Sequence, residues 1–266
     1  MNQQNGITYR KLPGLSAQGL RIWGLIFLAF GMVLNPSLQK ILASDETDFM
    51  FTSFGLIVQL MHFCAIPIFC FLLVEGFTHT GSLKNYAIRL GITALIVELP
   101  FNFAMYGKLL GDFSFRNLQG FKLNPVFGLL LALVLLHFFR QYSGRTFKRV
   151  MLKVLLWVMA FVWCQMLHIE YGKAVILLVP IIYFLRNKRM IMIFAGCIAM
   201  TLCGFLDVSA DTSSYIRTAS YIASAPVAFI ILHFYNGERG EANRYVNYLA
   251  YPVILLAIGL LAKFAF

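Results

Sequence analysis

Six polar or ionisable side chains between residues 67 and 102 could support chemistry, and they lie in or at the ends of two apolar segments: Glu75, Thr78, His79, Arg89, Glu98 and Asn102. Ionisable groups near hydrocarbon are energetically costly, so by default they indicate function. Any one of them could instead be an interfacial residue whose polar end reaches the lipid headgroups. Because six occur together, we interpret this segment as the functional centre of the chain.

Glu75, His79, Lys84 and Arg89 together predict an anion site at one end of the bundle. Glu75 and His79 are four residues apart, so a continuous helix places them on one face. Lys84 and Arg89 begin the next helix, and cationic side chains near the N–H groups of a helix start suit a phosphate or pyrophosphate. The alternative is a simple interfacial ion pair between Glu75 and Arg89.

A polar turn late in the chain is predicted on the same side of the membrane. It has the sequence Asn236, Gly237, Glu238, Arg239, Gly240. Its two glycines could let the backbone approach a ligand closely. We therefore expect this turn to join Glu75, His79, Lys84 and Arg89 in one cleft that opens to the cytoplasm.

The opposite helix ends carry the candidate catalytic groups. Pro100 is expected to kink the third span and to turn Glu98 toward the bundle interior, where a carboxyl can act as a general acid or base. The alternative role for Glu98 is a hydrogen bond that packs two helices. Asn102 lies on the next turn and could orient Glu98, and either Asn102 or Asn124 could donate to a developing oxyanion.

Two histidines are further candidates for a general base. His62 lies in the middle of the second apolar segment, where it could move a proton or simply make a structural hydrogen bond. His168 lies where the fifth segment meets the sixth, close to Glu170 and Tyr171.

The composition identifies the class of fold. The chain is 60% hydrophobic and 12% charged, whereas a soluble domain has about 25% charged residues. Windows of about 20 mostly apolar residues predict nine helical spans: 20–38, 55–74, 86–106, 124–139, 150–168, 172–186, 190–207, 217–234 and 246–265. We therefore predict an all-α, polytopic transmembrane helical bundle that forms a single domain over residues 1–266, with residues 1–19 as a cytoplasmic segment.

Charge distribution predicts the orientation of this bundle. With the N-terminus in the cytoplasm, 15 of the 22 basic residues lie inside, and most acidic residues fall in the outer loops. This favours an N-in, C-out topology. The net charge of +11 then reflects basic residues that face anionic lipid of the inner leaflet or an anionic cytoplasmic ligand, and it does not indicate nucleic acid. The five cysteines are odd in number, lie in apolar segments and include no CxxC pair, so we expect buried thiols and no metal site.

Several motifs, taken in order, resemble the TraX family: PIFCFLLVEGFTHT from Pro67, ALIVELPFN, Asn124, EYG at 170–172, YNGERG at 235–240 and YLAYP at 248–252. The resemblance implies an integral protein of the bacterial cytoplasmic (inner) membrane. It further implies a conjugation-related acetyltransferase that modifies a peptide or pilin-like acceptor with acetyl-CoA or another acyl-CoA.

The chain departs from the family pattern at residues that bear on chemistry. The family's first span typically ends in an Asp-His pair, where this chain has Gly31-Met32, and it usually has Gly-Arg where this chain has His62-Phe63. A late Tyr-Pro-x-His is replaced by Tyr251-Pro252-Val253-Ile254. Either His62 or His168 has taken over as base, or this member has kept the scaffold and lost acyl transfer.

Two functions therefore remain open from the sequence. The first is an acyl-CoA-dependent acyltransferase with the donor bound on the cytoplasmic side. The second is a catalytically degenerate membrane module that binds a lipid, a peptide or a membrane-protein partner such as a transporter or secretion subunit through the same cleft.

The topology makes a direct prediction. Reporter fusions at Asp112 and Ser143 should report the outside and the inside respectively, because one predicted span separates them. If both fusions report the same side, the assignment of spans between residues 86 and 139 is wrong.

Overall fold

The computed structural model describes residues 14–42, 49–106, 122–144, 146–206, 212–240 and 244–265. These residues form helices and no β-strand, which confirms the all-α prediction. The helices are α1 (Ala17–Leu42), α2 (Phe49–His79), α3 (Leu83–Tyr106), α4 (Pro125–Gln141), α5 (Phe147–Met166), α6 (Gly172–Leu185), α7 (Arg189–Leu206), α8 (Thr212–His233) and α9 (Arg244–Ala265). Each overlaps one of the predicted windows. Residues 1–13 and most of the loop that carries Asp112 lie outside the described part.

Local sequence explains where several helices begin and continue. Asn124 caps α4, with its side-chain oxygen accepting from the Val126 N–H at 3.0 Å, and Pro125 follows at the first helical position, where no N–H is needed. Pro67 and Pro100 lie inside α2 and α3, and both helices continue through them. Prolines of this kind are tolerated in membrane helices, where neighbouring groups satisfy the freed backbone.

Helix α2 is the centre of the bundle. It packs against α1, α8, α6 and α4, and it is the most buried of the long apolar helices. Four described helical stretches are by themselves long and apolar enough to cross a membrane: Ser53–His79, Leu83–Met105, Arg189–Leu206 and Tyr215–His233. Large apolar side chains on α5 and α7 are exposed, as expected for surfaces that face lipid.

The helices α1, α9, α3, α4 and α2 form a ring in which each helix packs against the next. Although α2 and α3 are consecutive in the chain, they do not pack on one another along their length. The ring therefore leaves a gap between them, and the short link from His79 to Leu83 closes it at one end.

Hydrogen bonds tie the segments together at both ends of the bundle. The segment before α1 pairs with the turn after α8, through Leu15 N–H to the Phe234 carbonyl (2.8 Å) and Asn236 N–H to the Leu15 carbonyl (3.0 Å). At the other end Leu123 pairs with the α5–α6 turn, and its carbonyl accepts from Glu170 N–H at 2.9 Å. Of the cysteines, Cys64, Cys70, Cys164 and Cys203 are buried free thiols, and Cys197 is half-buried.

Candidate functional site

A cleft of about 640 Å³ occupies the gap inside the five-helix ring. Its walls come from α1, α2, α3, α4 and α9, with Val175 of α6, and the turn after α8 contributes to its mouth. The mouth is polar and aromatic, with Arg21, Glu75, His79, Tyr86, Arg89, Tyr235, Gly237, Arg239 and Tyr248. The walls are apolar in between, and His62, Tyr171 and Tyr251 lie toward the inner end.

The mouth brings together five of the predicted binding residues, which are Glu75, His79, Arg89, Gly237 and Arg239. The expected convergence of α2, α3 and the late turn on one cleft is therefore observed. The other four predicted binding residues do not line the cleft: Lys84, Asn236, Glu238 and Gly240.

Glu75 is held by neighbours other than Arg89. Its Oε1 accepts from the Tyr235 hydroxyl at 2.8 Å and lies 3.5 Å from His79 Nδ1. Burial, together with this hydrogen bond, raises the pKa of Tyr235 far above its ordinary value, so the hydroxyl stays a donor. Within the described part of the chain the Arg89 guanidinium makes no hydrogen bond or ion pair, which leaves its donors available to a ligand.

The late turn has a structural role in addition to its place at the mouth. The carbonyls of Glu238 and Arg239 accept from the N–H groups of Ala17 (2.8 Å) and Gln18 (3.2 Å), which caps the start of α1. Gly240 has φ +73° and lies against Ser16 and Gln18, so a larger residue would be strained and would clash. The glycine there serves helix docking, whereas Gly237 (φ +80°) lines the cleft.

His62 and Tyr171 form the polar centre of the inner end. His62 Nε2 and the Tyr171 hydroxyl are 2.8 Å apart; His62 is buried, and Tyr171 is partly buried. Burial raises the pKa of Tyr171 well above its ordinary value, so the hydroxyl keeps its proton, which it can donate to His62 Nε2 or to the neighbouring Glu170 carboxylate. The second nitrogen, Nδ1, is buried without a hydrogen bond of good geometry, although the Leu28 carbonyl lies close to it.

The backbone at the α5–α6 turn places Tyr171 in the cleft. Tyr171 has φ +55°, a left-handed conformation that costs free energy for a residue with a side chain. Its neighbour Glu170 is buried, lies close enough to act on the Tyr171 hydroxyl, and forms an ion pair of 2.9 Å with Lys122. Strained residues of this kind cluster at functional sites, which favours a role for Tyr171 beyond packing.

Gly31 on α1 provides the space for His62. A Cβ atom built at Gly31 would overlap the His62 side chain. The absence of a side chain at Gly31 is therefore a requirement for the histidine to point into the cleft.

Glu98, Asn102 and Asn124 form a separate cluster that does not line the cleft. The Glu98 carboxylate accepts from the Asn124 backbone N–H (3.2 Å), from the Asn124 side-chain amide, and from Asn102 Nδ2 (3.3 Å). The same Asn124 amide donates to the Ala94 carbonyl at 2.8 Å. These contacts join α3 to the start of α4, and they favour an anchoring role over the catalytic and oxyanion-binding roles predicted from sequence.

His168 also lies away from the cleft. It is exposed, and its Nδ1 lies 3.1 Å from the Met166 carbonyl. Of the two histidines proposed as a replacement base, the structure places only His62 in the cleft.

Sequence reasoning did not assign several residues that line the cleft. Arg21 is an ionisable residue one turn inside α1, at the start of the first predicted span, and the argument applied to Glu75 would have identified it. Tyr235 and Tyr248 entered the sequence analysis only as parts of family motifs, and Tyr86 was not assigned, because single tyrosines near helix ends are common at membrane interfaces.

The fold and the cleft together define an all-α membrane protein with a polar site inside its helical bundle. Residues 40–262 match the TraX family, described as TraX protein. The chain belongs to this family, as the resemblance of its motifs predicted. Neither a comparison with curated proteins nor one with solved structures finds a match.

The Glu98 cluster gives a prediction that separates anchoring from catalysis. Glu98→Ala leaves three N–H donors without their acceptor, which should cost about 1–3 kcal/mol and lower the melting temperature in detergent. Leu99→Ala, at the neighbouring exposed position, is the control and should melt like the wild type. Glu98→Gln with an unchanged melting temperature and lost activity would restore the catalytic role.

Proposed function

We propose that this TraX-family protein is a multi-pass acyltransferase of the bacterial inner membrane. It transfers an acetyl or acyl group from cytoplasmic acyl-CoA to an amino or hydroxyl group of a peptide, a pilin-like protein or another membrane-associated acceptor. The observation that carries this proposal is one continuous cleft that joins a cationic mouth to the hydrogen-bonded pair His62 and Tyr171.

The mouth suits the nucleotide end of the donor. Arg21, Arg89 and Arg239 supply three guanidinium groups, which bind phosphate oxygens through paired N–H donors. Tyr86 and Tyr248 supply aromatic surface in the same lining. A ligand with several phosphates and a flat ring fits this combination better than a simple lipid headgroup does.

The length of the cleft suits the rest of the donor. Glu75 follows His62 by thirteen residues on α2, which corresponds to about 20 Å along the helix axis. The pantetheine arm of CoA is an extended chain of similar reach, and the apolar wall between the two ends includes Ile66, Phe69 and Leu73. The thioester would then lie beside His62.

Acyl transfer needs a base and a donor to the developing oxyanion, and the inner end can supply both. His62 Nε2 takes a proton from the acceptor while the acceptor nitrogen or oxygen attacks the thioester carbonyl carbon. The Tyr171 hydroxyl turns from Nε2 to the carbonyl oxygen as negative charge develops there. The carbon–sulfur bond then breaks, and the CoA sulfur leaves as a thiol with the proton held by His62.

Donor binding can be measured by isothermal titration of acetyl-CoA into the purified protein. The wild type should bind, and Arg89→Ala should weaken binding by about tenfold or more, because a charge-assisted contact to phosphate is lost. Lys148→Ala is the control, since this exposed lysine on α5 does not line the cleft. No binding by the wild type, or equal binding by Arg89→Ala, would contradict the proposed donor site.

Catalysis can be measured by transfer of radiolabelled acetyl groups from acetyl-CoA to membrane proteins. His62→Gln should reduce transfer about a hundredfold or more with donor binding unchanged, since a general base typically contributes that much. Tyr171→Phe removes only the hydroxyl and should also slow transfer. Donor binding without transfer in the wild type would favour the non-catalytic module instead.

A further inference from the structure

A second and smaller cavity lies at the same end of the bundle as the mouth of the cleft. It measures about 190 Å³ and is bounded by the ends of α2 and α8 and by the α6–α7 turn. It shares only Glu75 and Tyr235 with the cleft, and the hydrogen bond between these two side chains forms the wall between the cavities. The two spaces can therefore hold different ligands.

The rim of this cavity is cationic. Arg189 is fixed by the backbone, since its guanidinium donates to the carbonyls of His233 (3.2 Å) and Tyr235 (3.4 Å). A guanidinium has five N–H donors, so others remain for a ligand. Arg186 also lines the rim, and it makes no hydrogen bond or ion pair to another described residue.

The charge of the rim favours an anion. Among the described residues, Glu75 is the one carboxylate that lines the cavity, and the Tyr235 hydroxyl already donates to it. Two guanidinium groups therefore face one engaged carboxylate. Arginine guanidinium groups bind the oxygens of phosphates and carboxylates through paired N–H donors, and phosphate is the anionic group of phospholipid headgroups.

The surroundings favour an amphiphile over a free ion. The floor of the cavity is apolar, with Phe71, Met192 and Phe229. Exposed apolar side chains also flank the α6–α7 turn on the outer surface, namely Phe184, Met190 and Phe194. The cavity thus lies where cationic groups meet a lipid-facing surface, which is the position of a phospholipid headgroup in the cytoplasmic leaflet.

We propose that this cavity binds the phosphate-containing headgroup of an anionic phospholipid, with the acyl chains lying along the exposed surface of α6 and α7. The proposal is independent of acyl transfer, because it uses a different cavity and different arginines.

Native mass spectrometry of the detergent-solubilised full chain tests this site with defined lipids. Phosphatidylglycerol should bind more tightly than phosphatidylcholine of the same chain length. Arg186→Ala should weaken phosphatidylglycerol binding about tenfold. Lys188→Ala removes the same charge from the same turn but does not line the cavity, so its affinity should stay within about twofold of the wild type. If Arg186→Ala lowers the melting temperature, Arg186→Gln replaces it.

Three results would overturn the proposal. Equal binding of the two lipids would mean that no anionic headgroup is recognised. Equal weakening by Lys188→Ala and Arg186→Ala would mean that diffuse surface charge attracts the lipid. If millimolar inorganic phosphate raises the melting temperature through Arg186 and phosphatidylglycerol adds nothing, the cavity is a free-phosphate site.

Discussion

The close packing of α1 on α2 at Gly31 and His62 determines where the imidazole lies, and the proposed site depends on that position. Without a side chain at Gly31, the imidazole fits between the two helices and reaches the Tyr171 hydroxyl at 2.8 Å. A residue with a Cβ there would displace the histidine or separate the helices. The inner end of the cleft, and the chemistry proposed for it, depend on this contact.

The departure from the family pattern has a physical meaning at this contact. The resemblance implies a larger polar residue near Gly31 and a small one at residue 62, and this chain has the reverse. The structure places residues 31 and 62 against each other, so the exchange conserves space between α1 and α2. In this chain the imidazole that faces the inner end of the cleft belongs to His62 on α2. If this chain had only lost the polar residue of α1, residue 31 would not need to be a glycine; the glycine is needed because His62 lies opposite it.

The energetics of the bilayer explain why the sequence predicted the fold well and the site only in part. Nine apolar segments separated by charged loops predict helices, because unsatisfied backbone groups in hydrocarbon are costly.

The cost of ionisable side chains near hydrocarbon identified Glu75, His79 and Arg89, since such residues stand out against apolar neighbours. The same argument identified Glu98. The sequence alone does not show whether its carboxylate lines a cavity, as a catalytic group would, or accepts hydrogen bonds from three N–H donors, as an anchoring group does. That distinction depended on Asn124, whose position beside α3 is a tertiary contact. Tyr171 could not be identified as a cleft residue from the sequence, because its position depends on a left-handed backbone conformation that no local pattern predicts.

The mouth and the inner end of the cleft are stabilised by different interactions. The mouth is built from short turns held by backbone hydrogen bonds between residues 15–18 and 234–239, which keep Arg239 next to α1. The inner end is built from packed side chains and from the Glu170–Lys122 ion pair. A polar mouth held by backbone hydrogen bonds and an inner end of packed side chains suit the proposed ligand, whose charged end would stay at the mouth while its reactive end enters the bundle.

The most direct test of this account is a structure of the protein determined by electron cryomicroscopy with a non-hydrolysable acetyl-CoA analogue. The account predicts density that runs through the whole cleft, with phosphates at Arg89 and Arg239 and the acyl carbonyl within hydrogen-bonding distance of His62 or Tyr171. Analogue density outside the five-helix ring, or a cleft filled by lipid in the presence of saturating analogue, would contradict it.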